Sequence, residues 1–252
     1  MNDIPGRCQC DKSCPTASVK GEAFCEHHMS FCERRAPLNG SEPSYEPSRW
    51  NKKKEVRLTH NCFSYAFNII DKKQIEACLK NPQCYTAFHQ PGSISGFKKF
   101  NDEEPKTCPN MIGRMFGDNP IDIIPCPFDK KCPNGMSKIA LVVDQDQDYH
   151  YLRQDAPTAE ELKRNPDPIG YFSQKGGSMP VTNKDALGNK IFDVELAYHN
   201  YKPKLNLDYD ILCSYFCVSR DRPLFIKVGG SLSKSISKGK GMSKYPKTRR
   251  LK

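Results

Sequence analysis

The run Thr59-His60-Asn61-Cys62-Phe63-Ser64-Tyr65-Ala66 decides how this chain is read. Phe63, Ala66, Phe67 and Ile70 recur at i, i+3, i+4 and i+7, the stripe of an amphipathic helix with one face in a core. Thr59 or Asn61 supplies the N-cap, which puts Cys62 in the first turn. There the unpaired backbone N–H groups and the positive end of the helix dipole favour a thiolate over a thiol. Cys62 sits at the edge of the apolar stripe, so its sulfur can face a cleft while the helix stays buried. The plainer alternative is a core cysteine, since free cysteine is among the most buried residue types.

Downstream, Ile139-Ala140-Leu141-Val142-Val143 is a continuous apolar run, as in a central strand buried on both faces. The polar residues 144–148 read as a turn. Tyr149-His150-Tyr151-Leu152-Arg153 then alternates, with His150 and Leu152 on one face. Residues 169–174, 212–218 and 223–228 complete an antiparallel sheet, so the expected class is α+β. If the helix packed on the His150 face is the one carrying Cys62, a thiol nucleophile and an imidazole base meet at hydrogen-bond length. Otherwise His150 is a structural or surface histidine. A third group would orient the imidazole. Gln174, at the end of the next strand, is the first choice; Asn183 and Asp185 follow, although both also read as turn residues before Gly188-Asn189.

The first 35 residues crowd Cys8, Cys10, Cys14, Cys25, His27, His28 and Cys32 into a stretch with few core-forming aliphatics. Cys8-x5-Cys14-x10-Cys25-x2-His28 is a four-ligand zinc set, with Cys25-x2-His28 as its firmest half. Cys10 is an alternative to Cys8, and Cys32 or His27 to His28. A closed set of this kind folds a segment too small to fold alone, so a small zinc knuckle is expected. Residues 36–58 form a Pro-rich strap that excludes a long helix, with Tyr45 and Trp50 available to pin it. Residues 59–228 are the main body. Within it, residues 71–79 continue the first helix or begin a second, which Asn81-Pro82 breaks. Residues 89–135 are rich in Pro, Gly and Asn, and Cys108, Cys126 and Cys132, with Cys84 or Cys78, offer a second metal set.

A chain of 252 residues suits one domain with appendages. No apolar run approaches the roughly 18 residues of a membrane span, and the N-terminus lacks the form of a signal peptide, so no membrane insertion or secretion is expected. For such a chain, thirteen cysteines point to metal ligands, core thiols or nucleophiles rather than a disulfide framework. The net charge of +10 is uneven: residues 229–252 carry eight Lys or Arg and no acid, leaving +2 for the rest. That Gly-, Ser- and Lys-rich tail is expected to be disordered and to suit nucleic acid or another polyanion; a solubilising tail is the alternative.

The blocks Asn61-Cys62-Phe63-Ser64-Tyr65-Ala66, Pro91-Gly92, Asp148-Tyr149-His150-Tyr151-Leu152-Arg153-Gln154-Asp155, Gly170-Tyr171-Phe172-Ser173-Gln174-Lys175, Val181-Thr182-Asn183-Lys184-Asp185-Ala186 and Cys213-Ser214-Tyr215-Phe216-Cys217-Val218 resemble a family of large-DNA-virus (giant-virus) proteins over residues 59–218. The basic end, Lys247-Thr248-Arg249-Arg250-Leu251-Lys252, is similar to tails common in giant-virus proteins. More distantly, the Cys62 helix followed by the His150 hairpin is similar to NlpC-type cysteine peptidases and amidases of the papain-like fold. That resemblance implies Cys62 as nucleophile, His150 as base and a peptide or isopeptide substrate cleaved through a thioester, with helix-start N–H groups holding the oxyanion. It also implies a place in the virion or host cytoplasm, with capsid proteins among the partners. Two departures stand out: the interval from Cys62 to His150 is long, implying an insertion around residues 89–135, and Gln174 falls where related viral sequences carry histidine. Two classes therefore follow, a thiol hydrolase and a non-catalytic virion structural or DNA-associated protein that keeps a peptidase-like fold.

Overall fold

The computed structural model describes residues 6–220 apart from 82, 84–87, 99, 101–103, 120–121 and 166–167. The expected strand at 223–228 and the basic end at 229–252 lie outside the described residues.

The apolar run becomes β2 (Met136–Asp144), joined by a tight turn to β3 (Asp148–Gln154). β2 pairs on its other edge with β6 (Ile211–Ser219), and β1 (Ile123–Pro125) pairs with β6. β4 (Phe172–Lys175) and β5 (Val181–Thr182) extend the opposite side. The result is an antiparallel six-stranded sheet in the order β1-β6-β2-β3-β4-β5, and the protein is α+β.

Both sheet faces are covered, which explains the unbroken apolar run. Ile139, Leu141, Val143, Tyr149, Tyr151, Phe216 and Val218 pack on one side against Phe63 and Ala66 of α4 (Cys62–Ala66) and Met111 and Met115 of α6 (Cys108–Asp118). Ala140, Val142, Leu152, Phe172 and Tyr215 pack on the other against Cys8, Phe24, Phe128 and Phe192. Fully burying one such side chain stabilises by about 1.5–3 kcal/mol, so each alternate residue of β2 anchors a different layer.

β6 reaches both layers by strand alternation, and a bulge switches which alternate residues face which layer. Leu141 pairs with Ser214 and Val142 with Leu212, so Cys213 is the extra residue. Tyr215 faces the second layer while Ile211, Cys213, Phe216 and Val218 face the first. Cys213 there forms a disulfide with Cys108, the first residue of α6.

α4 is short because its ends are determined locally. The Asn61 side chain accepts from the Ser64 N–H at 3.1 Å, and Asn68, at φ 58°, closes the C-terminal end in the left-handed region. The Phe63 stripe therefore stops before Ile70, which packs with the group around Trp50. A separate helix, α5 (Lys72–Lys80), starts from an Asp71 cap. α6 lies in the Pro/Gly/Asn-rich stretch, where composition alone gave no element; Thr107 caps it and Pro109 occupies its first turn.

The strap holds two short helices, α2 (Pro47–Asn51) and α3 (Lys54–Thr59), and is pinned at named points. Trp50 is fully buried, edge-on to Tyr65 at 5.0 Å. The Gln154 amide donates to Ala36 O at 2.7 Å, and Arg153 Nη2 donates to Ser44 O at 3.1 Å. Arg153 also bonds Asp155 Oδ1 at 2.9 Å and Asn68 Oδ1 at 3.0 Å, and its guanidinium lies 4.0 Å from the Tyr65 ring centroid. Removing one partner from a buried pair of this kind costs about 3–5 kcal/mol. The Arg153-Gln154-Asp155 block is thus a buried clamp between strap, sheet and α4.

The cysteines depart from expectation. Disulfides join Cys10–Cys32, Cys108–Cys213 and Cys132–Cys217, and Cys78 is disulfide-bonded as well. Spacing could not show the long-range pairs, because Cys108 and Cys132 reach Cys213 and Cys217 only once β6 is in the sheet. Among the described residues no helix is long and apolar enough to cross a membrane.

Candidate metal centre

Residues 6–32 are a loop segment ending in α1 (Glu26–Ser30). Cys25 is the N-cap of α1 and His28 lies three residues on, so one turn brings thiol and imidazole to the same side. Their atoms are 3.3 Å apart, Sγ to Nδ1. Cys8 Sγ is also 3.3 Å from His28 Nδ1, and Cys14 Sγ is 4.0 Å from Cys25 Sγ. The four ligand atoms of Cys8, Cys14, Cys25 and His28 all lie within 4.8 Å of one another. A tetrahedral zinc with ordinary bond lengths requires about 3.8 Å between sulfurs and about 3.5 Å between sulfur and nitrogen. The donor set and its spacing therefore fit one metal ion with four protein ligands.

The alternative ligands are accounted for elsewhere. Cys10 and Cys32 bond to each other, and the His27 ring packs edge-on to His28 at 5.1 Å. The Cys25 N–H donates to Cys8 Sγ at 3.3 Å, the kind of outer contact that orients a thiolate ligand. Burial opposes ionisation of Cys25, but the His28 amide, the Cys8 and Cys14 thiols and the His27 amide outweigh it and hold its pKa below the usual thiol range. Burial pushes its neighbour Cys8 up, so Cys25 is the first of the pair to ionise.

This segment is welded to the body. Gln9 Oε1 accepts from the Phe192 and Asp193 N–H groups at 2.6 and 3.0 Å, and Gln9 Nε2 donates to Lys190 O at 2.8 Å. Phe24 meets the Phe192 ring edge-on at 5.0 Å. Arg34 completes the seam, its guanidinium 2.5 Å from Asp193 Oδ2 and 4.6 Å from the Phe128 ring centroid.

The expected contact between Cys62 and His150 is not formed. Cys62 packs with Tyr149 and Tyr151 on the α4 face, and its thiol points to Tyr149 O at 4.0 Å. His150 lies between those tyrosines in β3 and therefore projects to the opposite face. There it stacks on Tyr209, with ring centroids 5.2 Å apart, and Nε2 meets Gln174 Oε1 at 2.8 Å. Gln174 in turn donates to Tyr201 Oη at 2.9 Å. The structure thus brings His150 and Gln174 together and puts the sheet between them and Cys62. Asp185 accepts from the Leu187 and Asn189 N–H groups as a turn residue, and Asn183 O accepts from the Ile191 N–H. The His150 imidazole is held by Gln174 rather than by either of them.

Burial, with the Asp148 charge adding to it, pushes the Cys62 thiol up to about 12. Besides Tyr149 and Tyr151, a buried titratable group on its own side of the sheet is Lys175. Ser173, two residues before it in β4, bonds the Tyr65 hydroxyl of α4 at 2.6 Å, which identifies that face. Burial lowers Lys175 to about 7, and Nζ donates to Arg57 O and Gly177 O at 2.8 and 2.5 Å. Strand alternation from Gln174 carries the signal that would have found it. The second metal set expected from Cys108, Cys126 and Cys132 is also not formed, because Cys108 joins Cys213; Cys126 and Cys132 instead meet Cys217.

Three buried histidines give the fold a pH dependence. His60, His150 and His199 are each lowered to about 4, chiefly by burial, so all three are neutral in the folded protein at pH 7. Between pH 6.5 and 4 the unfolded chain binds protons that the folded chain does not, so stability must fall as pH falls. Asp155, raised to about 6 by burial, opposes this by about one proton, and Asp148 and Asp185, also raised by burial, oppose it further, so the net difference is at most about two. Denaturant unfolding should show stability falling by up to about 3 kcal/mol per pH unit near pH 5. His150→Gln should remove one proton from that slope. A stability unchanged between pH 7 and 5 would contradict the assignment.

Comparison with protein family models, curated proteins and solved structures finds no match to this chain.

Proposed function

We propose that this chain is a non-catalytic, zinc-stabilised binding protein that engages a polyanion through its basic end. The carrying observation is the closed set of Cys8, Cys14, Cys25 and His28. Four protein ligands leave no position for a substrate or reactive water, which is the pattern of a structural zinc site rather than a catalytic one. Its seating on Phe192 and Asp193 makes it part of the core, and zinc is the metal that three thiolates and an imidazole select.

The choice of partner rests on charge. Eight of the ten net positive charges fall in residues 229–252, where no carboxylate competes for them. Such a segment suits duplex nucleic acid without reading its sequence. On this reading the virion or host cytoplasm implied by the viral resemblance is where the protein acts, and capsid proteins are neighbours rather than substrates.

The thiol-hydrolase reading draws support from α4 lying across an antiparallel sheet, compatible with a papain-like framework, and from near-neutral Lys175 on the Cys62 face. Against it stand the buried thiol, which points to Tyr149 O, and, among the described residues, no imidazole hydrogen-bonded to it.

The test is duplex DNA binding by the full chain as a function of salt. If about six phosphates are neutralised, the log–log slope will be on the order of −5. Removing residues 229–252 should abolish most of this binding. An affinity independent of those residues, or flat with salt, would remove the polyanion partner.

A further inference from the structure

A second sulfur cluster lies at the far edge of β6, remote in sequence from the N-terminal centre. Cys126, Cys132 and Cys217 have their sulfurs within 4.8 Å of one another, and all three are buried. They come from three separate stretches. Cys126 directly follows β1, its N–H bonded to Tyr215 O at 3.0 Å. Cys132 lies in the loop leading to β2, and Cys217 is in β6 opposite Ile124 and Lys138. Cys132 and Cys217 form a disulfide, and Cys126 is a free thiol. Met136 packs its thioether side chain against the trio.

The surroundings of this cluster suit a charged occupant better than three inert thiols. The Lys138 ammonium is fully buried and donates to Pro127 O, Phe128 O and Lys130 O at 3.1, 2.5 and 2.6 Å, using all three of its N–H bonds. The loop from Cys126 to Cys132 is therefore folded round a fixed positive charge. Three thiolates and a divalent cation carry a net charge of −1, which the ammonium, already in the field of the Asp129 and Glu42 carboxylates, offsets at the cluster itself.

We infer that Cys126, Cys132 and Cys217 form a second, redox-gated site for a thiophilic cation such as zinc(II), open when the Cys132–Cys217 disulfide is reduced. The opening step is balanced by a dithiol reductant. It passes two electrons and two protons to the Cys132–Cys217 bond and becomes a disulfide itself, leaving two thiols in the protein. Zinc then forms three Zn–S bonds, and the three thiols release three protons to solvent. The two freed sulfurs need only separate to about 3.8 Å, the spacing of neighbouring thiolates on zinc. A Cα–Cα distance of 5.6 Å accommodates that through side-chain rotation. The fourth position is left to Met136 or water.

The experiment measures zinc per chain in the full-length protein, with zinc(II) as the only added metal. It compares protein oxidised in air with protein reduced by a non-chelating phosphine. Wild type should hold one zinc when oxidised and two when reduced. Cys126→Ser should hold one in both states, and Cys25→Ser should hold none when oxidised and one when reduced. Cys126→Ala serves as a second variant, and alkylation of reduced native protein supplies an independent readout. Zinc should protect Cys126, Cys132 and Cys217 together, and a chelator should expose all three. An equal zinc count in the two redox states, or a second zinc retained by both Cys126 variants, would overturn the inference. Loss of only the first zinc would instead count against the N-terminal centre, so the two sites are judged separately.

Discussion

Stripping the metal from the N-terminal centre, by a strong chelator or by Cys25→Ser, will lower the melting temperature of the whole protein by roughly 10–20 °C. A structural zinc site contributes about 10–16 kcal/mol of apparent binding free energy to the folded state. If about 5 kcal/mol of that reaches the global transition, each kcal/mol shifts the melting point by about 2–4 °C in a domain of this size. The transition should move as one, because Phe24, Cys8 and Cys25 share a core cluster with Ala140, Val142 and Tyr215 of the central strands. Gln9 is the coupling residue. Gln9→Ala leaves the Phe192 and Asp193 N–H groups without their acceptor, at about 1–3 kcal/mol each, and should loosen metal retention as well. The check is calorimetry with and without chelator, alongside elemental analysis. A melting point indifferent to chelation, or freshly purified protein without metal, would remove the centre from the structure's energetics.

The second large effect concerns Cys62. With its thiol pushed up to about 12, only a minute fraction is ionised at neutral pH. Alkylation by iodoacetamide should run about three orders of magnitude slower than for an ordinary thiol with a pKa of about 8.5. His150→Ala should leave that rate unchanged, because the sheet separates the two residues. Native alkylation followed by peptide mass mapping reads both points. Fast modification of Cys62 at pH 7, slowed by the His150 change, would restore the nucleophile–base pair and with it the hydrolase.

The expected outline and the observed one agree where a single periodicity governs. The apolar run of β2, the alternation of β3 and a cap at Thr59 or Asn61, which the structure gives to Asn61, are local features legible from residue spacing. The grouping of Cys8, Cys14, Cys25 and His28 was legible as well, but with Cys10, Cys32 and His27 as alternatives, and spacing did not show that Cys10 and Cys32 pair with each other. What spacing could not supply was which layer meets which face. His150 and Leu152 were correctly placed on one side of β3, but that side receives Phe24 and Phe192 rather than α4. The odd and even residues of one strand met different partners, and no local pattern distinguishes them. α6 was hidden by Pro109, Gly113 and Gly117, and its place is decided by Met111 and Met115 against the sheet and by Cys108 joined to Cys213. The Cys213 bulge likewise arises only from pairing with β2.

The seam between the N-terminal centre and the body also has a meaning in time. Gln9 grips backbone that lies 183 residues later in the chain. At synthesis rates of about 5–20 residues per second, roughly 10–40 s pass between the emergence of one partner and the other. For that interval the four ligands are outside the ribosome with no floor beneath them, their thiols open to mispairing with Cys10 and Cys32. A metal ion bound by those four residues would keep the nascent segment in its final shape until Phe192 and Asp193 arrive to receive it.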